Sequence, residues 1–125
     1  MVSKTRAARI GERIREELSE IIIYGVQDPR LSGVSITDVR VDAELTFADV
    51  HFSAIEGSSR APEIQNAFEH AQGFLRSELA RRVDLRHFPR MRFHWDPTFE
   101  KAERIDKLIA DLHRENEEDR SEHES

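Results

Sequence analysis

From Ala7 onward, apolar residues return at three- and four-residue steps, at Ala7, Ile10, Ile14, Leu18 and Ile21 or Ile22. That is the period of one helical face, and it predicts an amphipathic helix over residues 4–24, stopped by Gly25. Gln27-Asp28-Pro29-Arg30-Leu31-Ser32-Gly33 reads as a loop, because Pro29 has no N–H to give to a helix or a sheet. The period then changes to two. Val34 and Ile36, followed by Val39 and Val41, alternate out of phase by one residue, which predicts a strand over 34–41 with a bulge near Asp38. Ala48, Val50, Phe52 and Ala54 alternate with Asp49, His51 and Ser53, predicting a second strand over 47–55. Asp42-Ala43-Glu44 suits a turn between them, so the pair reads as an antiparallel hairpin with one buried face.

Gly57-Ser58-Ser59-Arg60 reads as a turn, and Pro62 fits the first turn of a helix. Ile64, Ala67, Phe68 and Ala71 form a stripe that Phe74 or Leu75, Leu79 and Val83 continue past Gly73. A glycine inside a helix costs about 1 kcal/mol relative to alanine, so a kink or break is expected at Ala71-Gln72-Gly73, giving two helices. After Pro89, Met91, Phe93 and Trp95 alternate with Arg92 and His94 as a third strand, with Trp95 read as a core residue. Asp96-Pro97 is a helix start, and Phe99, Ala102, Ile105, Leu108, Ile109 and Leu112 form a last stripe that fades after about residue 114. The order is helix, strand, strand, helix, helix, strand, helix. Apart from the last helix this is the order of an α+β, type II KH-like domain. The expected organisation is one folded domain over residues 4–112 and an acidic, disordered tail over 113–125.

A length of 125 residues suits a single core. With no Cys there is no disulfide framework, thiolate metal site or cysteine nucleophile. The N-terminus lacks the apolar segment of a signal peptide, and no run reaches the roughly 18 apolar residues of a membrane helix, so a cytoplasmic protein without a membrane partner is expected. A net charge of -6 argues against nucleic acid until it is divided along the chain. Residues 111–125 hold seven acids against Arg114 and Arg120, a local balance of -5. Residues 1–15 hold Lys4, Arg6, Arg9, Arg13 and Arg15 against Glu12, and residues 76–92 hold Arg76, Arg81, Arg82, Arg86, Arg90 and Arg92 against Glu78 and Asp84. Each of these two clusters sums to +4, and both are built from arginine, the better fork for phosphate.

The five glycines at 11, 25, 33, 57 and 73 supply no GXXG clamp, dinucleotide turn or phosphate loop. Six His residues show no HExxH or similar spacing, so no metal and no cofactor is expected. A hydrolase using His51 or His94 with a carboxylate lacks a nucleophile, and the protein reads as a non-enzyme.

Several segments together carry a family resemblance. Arg13-Ile14-Arg15-Glu16-Glu17-Leu18-Ser19-Glu20-Ile21-Ile22, Asp28-Pro29-Arg30-Leu31, Val34-Ser35-Ile36-Thr37-Asp38-Val39 and Ala48-Asp49-Val50-His51-Phe52-Ser53 resemble, in this order, the bacterial ribosome-binding factor A family. Gly73-Phe74-Leu75-Arg76, Leu85-Arg86-His87-Phe88-Pro89 and Phe93-His94-Trp95-Asp96 extend the resemblance across residues 4–112. It implies a type II KH-like fold in which an Ala-x-Gly kink, here Ala71 and Gly73, replaces the GXXG. It also implies a factor that binds free 30S subunits through 16S rRNA, assists late maturation including 16S rRNA 5′-end processing, and supports growth in the cold.

On that reading the arginines meet rRNA backbone and grooves. Arg6, Arg9 and Arg13 share one face of the first helix, and Arg76, Arg81 and Arg86 lie outside the Leu75, Leu79, Val83 stripe. Glu78 stands four residues before Arg82 and is expected to neutralise it in part. Arg30 marks a second candidate surface, or else a rigid turn held by Asp28. A monomer without a small-molecule substrate is expected. The competing reading is a dimerisation module without RNA binding, using the third strand and last helix, in which the arginines only solvate their helices.

Overall fold

The structure, a computed structural model, describes the backbone of residues 1–124 and the side chains of residues 1–121. The chain order is α1 (Lys4–Tyr24), β1 (Val34–Val41), β2 (Phe47–Ala54), α2 (Ala61–Arg82), β3 (Arg90–Trp95) and α3 (Thr98–Glu124), with short 3-10 turns at Pro29–Leu31 and Ser58–Arg60. The Ser3 hydroxyl oxygen accepts the Arg6 amide at 3.1 Å and caps α1. Its buried face is Ala7, Ile10, Gly11, Ile14, Leu18, Ile21 and Ile22, the stripe expected from the spacing.

The strands form one sheet in the order β1-β2-β3. β1 pairs antiparallel with β2, and the register slips between Ile36 and Asp38, where the phase of the apolar alternation changes. Thr37, the residue skipped there, donates its hydroxyl to Asp96 Oδ2 at 2.6 Å and so ties the bulge to the end of β3. β3 pairs parallel with β2, an arrangement that needs the long crossover α2 supplies. One face of the sheet packs under α1 and α2. There Phe68 stacks on Phe93 with centroids 4.4 Å apart, and Phe52 meets Phe68 edge-on at 5.1 Å. Trp95 is half-buried and edge-on to Phe52. The other face carries Arg40, Asp49, His51, Arg92 and His94, the polar half of each alternation.

Two expectations are corrected. First, α2 is one unbroken helix through Ala71-Gln72-Gly73 rather than two. Ile64, Ala67 and Phe68 before Gly73, and Leu75 and Leu79 after it, are buried on the same core, and that shared burial outweighs the cost of about 1 kcal/mol for one glycine. Gln72 adds a tie by donating its side-chain amide to the Met91 carbonyl on β3 at 3.2 Å. Second, α3 runs to Glu124, through the acidic stretch expected to be disordered; residue 125 of that stretch lies outside the described residues. Glu and Arg are strong helix formers, and Arg114 reaches back one turn to Asp111.

Candidate nucleic-acid interface

Because Ala7, Ile10 and Ile14 turn inward, Arg6, Arg9 and Arg13 are left on the outer side of α1. The last turn of α2 lies against them. Arg6, Arg9, Ile10 and Arg13 from α1, with Arg82, Val83, Asp84 and Leu85 from the end of α2, line one groove of about 410 Å³. The two basic clusters, about seventy positions apart in the chain, therefore meet in space. One carboxylate organises the junction. Glu17, whose side chain is 14% exposed, pairs with Arg13 at 2.8 Å and with Arg82 at 3.2 Å. Arg82 also reaches Glu20 at 3.4 Å, and Arg13 donates to the Arg82 carbonyl. Arg82 is thus neutralised across the helix interface and not by Glu78. Glu78 instead pairs with Arg81, one turn away at 3.3 Å. Sequence distance favoured the wrong partner, because the helix crossing that brings Glu17 to Arg82 has no local signal.

Arg6 and Arg9 have no ion pair among the described residues, and both are exposed. Arg86 is exposed and unpaired in the same sense, next to Leu85 at the groove. Arg76 donates to the Phe88 carbonyl at 3.3 Å, holding the loop before β3 while remaining exposed. Arg81, with a side chain 74% exposed, projects from the same helix end. Arg30 stands apart from this set. Its guanidinium donates to both oxygens of the Asp28 carboxylate, at 2.8 Å in the shortest bond, while Asp28 also accepts the Arg30 amide at 2.9 Å. That double grip, led by the guanidinium, holds the Asp28 carboxyl below its ordinary range. These bonds form a local turn around Asp28 and leave the Arg30 side chain 36% exposed.

The open sheet face is a second polar surface, and its pairing was not legible in the sequence. Arg92 donates two hydrogen bonds to Asp49, at 2.8 and 2.9 Å, and lies 4.0 Å over the Phe47 ring. His94 takes the same Asp49 oxygen at 2.8 Å, with the His51 ring 5.2 Å from its own. Arg92 lowers the Asp49 pKa, with His94 helping and partial burial opposing. Asp96 accepts the Thr37 and Thr98 hydroxyls and the Thr98 amide, and so starts α3 at the Asp96-Pro97 step expected from the sequence. Arg92 is therefore committed to the sheet, and the second basic cluster divides between helix end and sheet. No group of three His, Asp or Glu side chains among the described residues is placed to hold a metal ion.

A helix-covered, three-stranded sheet with arginines gathered at the α1–α2 junction defines a KH-like α+β domain without the glycine clamp. Comparison with known proteins makes the class specific. The sequence model of the ribosome-binding factor A family matches residues 6–109, and the chain belongs to that family. It is 38% identical over 115 residues to ribosome-binding factor A of Staphylococcus carnosus (strain TM300), covering 92% of this chain and 100% of that one. The crystal structure of ribosome-binding factor A from Thermus thermophilus superposes with a TM-score of 0.63 at 27% identity, covering 71% of this chain and 93% of that one. A homology model of the Thermus thermophilus factor, as fitted into a cryo-EM map of a 30S–RbfA complex, gives a TM-score of 0.60 at 27% identity over 73% of this chain and 96% of that one.

Proposed function

We propose that this protein is a non-enzymatic assembly factor of the small ribosomal subunit that acts as a cytoplasmic monomer. It binds free 30S subunits through 16S rRNA and assists late maturation, including 5′-end processing, with a role in growth in the cold. The observation that carries this reading is the convergence of Arg6, Arg9 and Arg13 with the end of α2 on one groove. Arg6 and Arg9, which have no ion pair among the described residues, together with Arg86, Arg81 and Arg76 close by along the chain, supply a surface for phosphate. Structured RNA is recognised largely through backbone and shape, which suits a site of arginines without a base-reading pocket. Membership of the family and the likeness to a factor fitted into a 30S complex support the choice of partner.

The test is co-sedimentation of the purified protein with free small subunits and with intact ribosomes at two salt concentrations. Salt-sensitive binding to free subunits, with weak binding to intact ribosomes, is the expected result. A strain lacking the protein should accumulate 5′-extended 16S precursor, most strongly in the cold. Absence of binding to either particle overturns the assignment.

A further inference from the structure

We propose that α3 is a docking helix for a basic protein surface of the small subunit, an inference that rests on the subunit-binding reading above. From residue 101 to residue 121 every position except Asp111 is exposed. Along it Ile105, Leu108, Ile109 and Leu112 fall at steps of three, four and seven residues, all between 49% and 63% exposed. An apolar stripe of that spacing is the form in which a helix enters a groove on another protein. Over residues 101–121 the helix has no packed face among the described residues, which leaves its apolar stripe open to a partner.

The charges beside the stripe choose the partner. Asp111, Glu115 and Asp119 follow at four-residue steps, and residues 111–125 carry a balance of -5. RNA is thereby disfavoured as the occupant, since the ridge would face phosphates. A second copy gains little: paired parallel, two acidic halves would repel, and paired antiparallel, each would lie on residues 98–110, whose three acids and three bases cancel. A protein groove with a Lys- and Arg-rich rim satisfies both the stripe and the ridge. Proteins that sit among rRNA phosphates carry such rims. The family match ends at residue 109, so the acidic half of this helix lies outside it.

The experiment uses the full chain and two variants, I109Q/L112Q and E115K/D119K, with glutamine and lysine chosen as good helix formers. Affinity is measured for free 30S subunits and for a protein-free 16S rRNA transcript, and sedimentation velocity reports the state of the free protein. I109Q/L112Q should weaken subunit binding about tenfold while leaving transcript binding and the unfolding midpoint unchanged. E115K/D119K should weaken subunit binding too, while holding or raising transcript affinity. Unchanged subunit binding in both variants, or a loss from I109Q/L112Q equal on subunit and transcript, overturns the proposal. A wild-type dimer that I109Q/L112Q converts to monomer also overturns it, in favour of a second copy. A wild-type chain that binds neither particle defeats the subunit-binding reading itself, and this inference with it.

Discussion

Gly11 of α1 approaches Val39 of β1 so closely that a Cβ on Gly11 would lie 2.4 Å from the Val39 carbonyl oxygen. Backbone cannot yield there as a flexible side chain could, because Val39 is fixed by its pairing with Val50 just beyond the bulge. Gly11→Ala should therefore destabilise the fold by about 1–3 kcal/mol, the usual range for overpacking, despite alanine's better helix propensity. Urea unfolding at neutral pH measures this, and an unchanged midpoint would mean that α1 rides higher on the sheet.

Gly73 offers the opposite case within the other core helix. Among the described residues a Cβ there meets nothing within 4 Å, and the position is exposed in the middle of α2. Gly73→Ala should stabilise by about 0.5–1 kcal/mol through helix propensity and a less free unfolded chain. For a domain of this size that raises Tm by roughly 3 °C. If the substitution instead lowers Tm, or leaves Tm raised but abolishes subunit binding, a departure from straight helix at Ala71-Gln72-Gly73 belongs to the working state.

Asp49 links the fold to pH. Its pKa is depressed in the folded chain by Arg92, with His94 assisting. A depressed carboxyl contributes its full stabilisation above the unfolded value near 3.9, and loses it as pH falls from there through the folded value. Asp49→Asn should cost about 1 kcal/mol at pH 7, a magnitude suited to a partly exposed pair. The gap between wild type and variant in thermal unfolding should close as pH drops below about 4. A gap that persists well below that pH would place the effect in packing of Arg92 on Phe47 and not in the ion pair.

The elements legible in the sequence are those whose period matches a single buried face. α1, the slipped alternation of β1, and β2 each announce both type and burial, because every second or every third-to-fourth residue must be apolar to fill one core. Gly73 misled because propensity is local, while Phe68 and Leu75 answer to the same core on either side of it. The stripe of α3 was readable, but its exposure was not, since periodicity reports that a face is apolar and not what covers it. In the candidate site, Arg6, Arg9 and Arg13 followed from helical geometry. Glu17 bridging to Arg82, and Asp49 to Arg92, depend on how helices cross and strands register, which no neighbouring residue encodes.

That difference separates two kinds of arginine at the α1–α2 junction. Arg6 and Arg9 are exposed and without a carboxylate partner among the described residues, so Arg6→Ala with Arg9→Ala should leave stability within about 0.5 kcal/mol of wild type. If both meet phosphate, subunit affinity falls and the slope of log K against log salt flattens by up to about 1.8, at roughly 0.9 for each phosphate no longer neutralised. Arg82 is tied to Glu17 and Glu20, and its removal leaves Glu17, with a side chain 14% exposed, to Arg13 alone. Arg82→Ala should therefore lower stability by about 1 kcal/mol, through loss of the interhelical pair, while changing the salt slope much less. Measuring unfolding and salt-dependent subunit binding on both variants checks the division. A double variant of Arg6 and Arg9 with wild-type affinity and slope would remove these two from the interface, and a large change of slope in Arg82→Ala would move the phosphate-binding role onto α2.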